Sequence, residues 1–151
     1  MSQPASSPEQ VVRVLQIITG ALVMGVVMFA AIAGLAAGAL SGPPSGVIVS
    51  GVAVVLAAAS FVMHLIVPPV IAKQAGHATD TQGLYGVYQT KTIVGLAILE
   101  GAAFFNIVAA MIENNWWSLA IAGGLVFWML ALFPTQTRVA HWVEAQTMTR
   151  R

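Results

Sequence analysis

Residues 92–112 read TIVGLAILEGAAFFNIVAAMI, a run that is apolar or small except at Thr92, Glu100 and Asn106. About 20 mainly apolar residues in a helix cross the roughly 30 Å hydrocarbon layer of a bilayer. The stretch therefore reads as a transmembrane helix with one carboxylate, Glu100, near its centre. Glu100 stands nine residues beyond Lys91, roughly 14 Å along a helix rising 1.5 Å per residue. An ionisable group at that depth is costly and marks a functional hypothesis by default.

Three further segments have the same character. Residues 14–40 form the first expected span and end at SGPPSG, a turn-rich break. Residues 47–67 form the second and are expected to stop at Pro68-Pro69, where two amide donors are missing. The third is residues 90–112. The fourth is residues 116–133, opened by Trp116 and Trp117, side chains that favour the membrane interface, and closed by Pro134. The apolar run of span one is far longer than the ~7–15 residues of a signal-peptide core, so it is read as a retained helix. Residues 1–10 read as a polar N-terminus, residues 68–89 as a polar loop and residues 134–151 as an interfacial tail.

Composition agrees. The chain of 151 residues is 58% hydrophobic and 7% charged, with a mean hydropathy of +0.87. A soluble domain of this length needs far more charge to cover its surface. The expected fold is an all-α integral membrane protein, a four-transmembrane-helix bundle with a short amphipathic C-terminal helix, forming one membrane domain.

The six Lys and Arg residues set the orientation. Arg13, Lys73, Lys91, Arg138, Arg150 and Arg151 fall in the N-terminal region, the loop between spans two and three, or the tail. The two remaining loops have none. By the positive-inside rule both termini are expected in the cytoplasm, with the chain in a bacterial-type plasma (inner) membrane.

An internal repeat is also expected. FVMHLIVP at 61–68 and FWMLALFP at 127–134 share Phe, Met and Pro at the same offsets. IITGALVMGVVMFAAI at 17–32 and TIVGLAILEGAAFFNI at 92–107 align Gly20 with Gly95, Phe29 with Phe104, Ile32 with Ile107, and Gly25 with Glu100. Two parallel helical-hairpin repeats, related by an axis along the membrane normal, account for both matches.

Glu100 has Leu96, Ala97, Ala103 and Phe104 at i±3 and i±4, none of them a polar partner. A partner must come from another helix. Ser60 and His64 of span two are the candidates at suitable depth, with Thr19 of span one as an extra. Together they form a short ladder that serves either proton handling or helix adhesion, because a neutral carboxyl both donates and accepts a hydrogen bond. Ala30, Gly34 and Gly38 on span one, and Ala97 and Gly101 on span three, form small-residue strips expected to pack within the bundle. In the tail, Val139, Trp142 and Val143 form an apolar face expected to lie on the cytoplasmic leaflet, with Arg150-Arg151 near anionic lipid.

The segment LAILEGAAFFNIVAAMI, 96–112, resembles the outer helix of the proteolipid (c-ring) subunits of rotary ATP synthases, which carries a mid-membrane carboxylate followed by small and aromatic residues. IAKQ, 71–74, is similar to the polar loop between the two helices of that family. The resemblance spans residues 71–112 and implies that Glu100 is the ion-carrying carboxylate of an oligomeric ring. It is local: span two lacks the dense glycine repeat of the family's inner helix. Duplicated proteolipids also place the carboxylate in the second helix of a hairpin, whereas the repeat here places Glu100 in the first. Membership is not expected.

Other chemistry is absent from the sequence. A net charge of +1 offers no basic stripe for nucleic acid, and the lack of cysteine removes disulfides, thiolates and Cys metal sites. No Gly-rich phosphate loop, HExxH or paired nucleophile and base occurs. His77 and Asp80 in GHATDTQG are two loose potential ligands, too few for a metal site. The expectation is a non-enzymatic membrane protein with no cofactor and no metal, in which Glu100 mediates helix or subunit association. Its partners are the lipid bilayer and a homo-oligomer or larger membrane complex. The alternatives are proton or cation translocation centred on Glu100 and a role as an accessory subunit.

Overall fold

A computed structural model describes residues 8–36 and 43–148. Among them the chain is helical with no strand: α1 Pro8–Ala36, α2 Ile48–Ala72, a short 3-10 turn Lys73–His77, α3 Thr81–Glu113, α4 Trp116–Ala131 and α5 Gln136–Met148. Three helices, α1, α2 and α3, are long and apolar enough to cross a membrane, and there are up to four if the bent pair α4–α5 counts as one span. This is an all-α membrane protein.

α3 is the centre. It packs against α1, α2 and α4, whereas α1 and α2, neighbours in the chain, share no extensive interface. The core between these helices is built from Val23, Val26, Ala57, Leu96, Leu99, Ala103, Ile107, Ala122 and Met129. α2 meets α3 through a stripe of small buried residues, Ser50, Ala53 and Ala57, spaced to share one helical face, which lets two backbones approach closely.

α3 starts nine residues before the expected span, and the reason is local. The Asp80 side chain accepts a hydrogen bond from the Gly83 N–H at 2.8 Å, capping the first turn. Leu84 and Tyr88, four residues apart, then bury themselves. The segment expected to be a polar loop is therefore largely helix, and Asp80 is engaged as a cap. At 33 residues α3 is about 50 Å long and extends beyond a hydrocarbon layer.

Pro68 and Pro69 do not end α2 as expected; both lie inside it, and the helix continues to Ala72. They remove the N–H donors due to the carbonyls of His64 and Leu65, yet the following turn closes on the carbonyls of Pro69, Val70 and Ile71.

α4 has 16 residues, about 24 Å, and is short for a span. Pro134, which has no N–H to give, interrupts the chain, and α5 leaves at an angle of 66°. Gln16 of α1 holds this corner by donating to the Pro134 carbonyl at 3.1 Å. The Thr135 hydroxyl accepts from the Arg138 N–H at 3.3 Å and caps α5.

The apolar face of α5 does not face lipid as expected. Val139 is buried with Val11, Val12, Leu15 and Tyr88, and Val143 with Ala75 and Leu84. α5, the start of α1 and the extended start of α3 thus form one apolar cap at the end of the molecule that carries Arg13, Lys73, Lys91 and Arg138. Arg150, Arg151 and Gly38 lie outside the described residues.

Candidate functional site

Glu100 sits on α3 facing α1. A Cβ built on Gly25 would lie 3.8 Å from Glu100 Oε1 and 3.9 Å from the Phe104 ring. These are ordinary van der Waals distances, so Gly25 marks the part of α1 that the carboxyl lies against. One turn on, Phe29 and Phe104 meet edge to face with ring centroids 5.4 Å apart. The pairs Gly25–Glu100 and Phe29–Phe104, aligned in the sequence repeat, touch each other in space.

The expected ladder is not assembled. His64 Nδ1 lies 2.9 Å from the Gly95 carbonyl; since a carbonyl only accepts, this nitrogen carries the proton. Ser60 is half-buried on α2 and makes no hydrogen bond with Glu100. Thr19 is fully buried, and its hydroxyl has no partner. Among the described residues Glu100 has no hydrogen bond and no ion pair, and its side chain is half-buried. The physical reason is geometric: Gly95 and Glu100, five residues apart, point about 140° away from each other on a helix turning 100° per residue. α2 lies on the first face and α1 on the second.

The small-residue strips also differ from expectation. Ala97 and Gly101 are exposed, and nothing lies within 4 Å of a Cβ added to Gly101. They lie about 60° and 100° round the helix from Glu100, both to the same side, on the outer surface of the bundle rather than inside it. On α1, Ala30 packs against the core, while Gly34 has open space beside it. The close approach falls elsewhere, at Gly95, where an added Cβ would lie 3.1 Å from Pro68 Cγ and 3.2 Å from His64 Nδ1.

Two polar centres were not anticipated from the sequence. At the end opposite the apolar cap, Glu113 accepts hydrogen bonds from the backbone N–H groups of Val49 at 2.7 Å and Ser50 at 2.8 Å. Asn115 donates to the Ser50 hydroxyl at 3.3 Å, and Ser45 N–H donates to the Glu113 carbonyl at 2.9 Å. Deeper in the same interface, the buried Asn106 amide donates to the carbonyls of Ala102 and Ala53. Trp116 and Trp117 open α4 at this end, Trp116 being 66% exposed.

The second centre lies under the apolar cap. Lys91 Nζ sits 4.5 Å from the Tyr88 ring centre and 4.4 Å from that of Trp142, and those two rings meet edge to face at 5.3 Å. Trp142 is therefore a packed partner of α3 rather than a free interfacial anchor. Arg138 donates from Nη1 to the Ala131 carbonyl at 2.9 Å. A cavity of about 290 Å³ separates α2, α3 and the α4–α5 corner, and His64, Lys91 and Arg138 line it together with Tyr88 and Thr92.

No group of three or more His, Cys, Asp or Glu side chains able to hold a metal ion occurs among the described residues. The chain matches no protein-family model, no curated protein and no solved structure.

Proposed function

We propose that this is a non-enzymatic membrane protein that assembles with a second copy of itself through the Glu100 face of α3, with the basic end and both termini on the cytoplasmic side. One observation carries the reading: the Glu100 carboxyl, central in an apolar helix, has no hydrogen-bond partner among the described residues, and the adjoining Ala97 and Gly101 are exposed. Hydrocarbon offers such a group nothing. A second copy related by a two-fold axis brings the same residue to the same place. Two neutral carboxyls then each donate and accept one hydrogen bond, and Ala97 and Gly101 let the helices come close enough for it.

Proton or cation translocation is the weaker reading, because His64 is spent on Gly95 and no polar chain leads from it to Glu100 among the described residues. The proteolipid likeness rests on the same carboxylate and implies a ring of copies, which also requires this face to be an interface. The duplication is supported by the contact of equivalent residues between α1 and α3, but α1 and α2 do not pack as α3 and α4 do. A repeat of helices fits this arrangement better than a repeat of complete hairpins.

The test is the molar mass of the purified protein in detergent by light scattering. The reading expects an oligomer for the wild type, weakened in Glu100→Gln and monomeric in Glu100→Ala. An unchanged oligomer in Glu100→Ala would refute it.

A further inference from the structure

The cavity beneath the apolar cap is lined by His64, Lys91 and Arg138 and, among the described residues, by no acidic one. Two basic side chains, Lys91 and Arg138, share one small space, and neither is paired with a carboxylate among the described residues. Arg138 uses one of its five N–H donors on the Ala131 carbonyl, which fixes the guanidinium at the cavity wall and leaves the others available. Lys91 is held against the Tyr88 and Trp142 rings, contacts that satisfy its charge but not its N–H groups. Beside Tyr88 and Thr92, much of the remaining lining is apolar: Pro68, Pro69, Ala72, Leu96 and Leu132. The volume of about 290 Å³ is near the lower end of the ~300–1,000 Å³ range of small-ligand pockets.

We propose that this cavity binds a phosphate-type anion. Arg138 and Lys91 supply charge-assisted hydrogen bonds to its oxygens, and the proline and leucine wall receives an apolar body attached to it. An acidic phospholipid headgroup has both parts, and basic pockets between helices at the cytoplasmic side of a membrane protein recognise such headgroups. Inorganic phosphate has the anionic part alone.

The experiment is a titration of the detergent-solubilised full chain, reading thermal stability and, by native mass spectrometry, the number of bound molecules. The probes are phosphatidylglycerol, phosphatidylcholine and inorganic phosphate. One phosphatidylglycerol per chain is expected, with a rise in Tm that phosphatidylcholine does not give. Inorganic phosphate acting as strongly as phosphatidylglycerol would support the anion site and assign it to free phosphate. Arg138→Gln is expected to weaken binding about tenfold, the lower end for one charge-assisted hydrogen bond. Lys91→Gln is expected to do the same, and Arg138→Gln decides the matter if the loss of Lys91 unseats α5. Lys73→Gln removes a cation from the same end of the molecule but outside the cavity and is expected to leave binding unchanged. Equal binding of the two lipids with no response to phosphate, or equal loss in Lys73→Gln and Arg138→Gln, would overturn the proposal.

Discussion

Glu113, the last residue of α3, holds the first turn of α2: its two carboxylate oxygens accept from the N–H groups of Val49 and Ser50 at 2.7 and 2.8 Å. The first amides of any helix lack partners within it, and α2 has no capping side chain of its own, since Val47 stands at its N-cap. A carboxylate there also meets the positive end of the helix dipole.

Replacing Glu113 tests that relationship. Glu113→Ala leaves two amides unsatisfied and is expected to cost about 1–3 kcal/mol, the range for leaving a buried donor without its partner. Glu113→Gln keeps one acceptor and is expected to cost less. Thermal unfolding in detergent gives the ranking, and hydrogen exchange at Val49 and Ser50 is expected to quicken in both variants.

The transmembrane class was legible in the sequence because a run such as 92–112 has one physical explanation. The Glu113 cap was not legible, because its donors lie 63 and 64 residues away and only the packing of α2 on α3 brings them together. The early start of α3 had a signal in Asp80 followed by Leu84 and Tyr88 at helical spacing. The polar residues Gln82, Gln89, Thr90 and Lys91 obscured it, as they suit a loop equally well. Glu100 was visible as an anomaly, but which helix it faces depends on a rotation of α3 that no local pattern fixes.

Gly95 and Gly20 occupy matching places in the sequence repeat and opposite situations in space. A Cβ at Gly95 meets Pro68 and His64 at 3.1–3.2 Å, while nothing lies within 4 Å at Gly20. The obstacle at Gly95 is a proline ring tied to its backbone, which has little freedom to yield. Gly95→Ala is therefore expected to be less stable than Gly20→Ala by about 1–3 kcal/mol, the usual cost of overpacking. Equal melting temperatures for the two variants would show that α2 does not press on α3 there.

Trp142 ties α5 to α3 through Tyr88 and Lys91. Its loss in Trp142→Ala removes a ring contact and a cation–π contact, the latter worth about 0.5–2 kcal/mol. α5 is expected to open more often, so that trypsin cleaves after Arg138 about tenfold faster while the rest of the bundle stays resistant. An unchanged cleavage rate would mean that Val139 and Val143 hold the helix alone.

In the proposed assembly the Glu100 face of α3 meets its counterpart in a second copy, and the cysteine-free chain allows a direct measurement. Gly101→Cys places a thiol beside Glu100 on the exposed face, and Val55→Cys places one on the 67% exposed surface of α2. Oxidative cross-linking in native membranes is expected to give a disulfide dimer for Gly101→Cys, little for Val55→Cys, and loss of the Gly101→Cys dimer when Glu100→Ala is added. Equal cross-linking at both positions, or a Gly101→Cys dimer that survives Glu100→Ala, would rule out a Glu100 interface between copies.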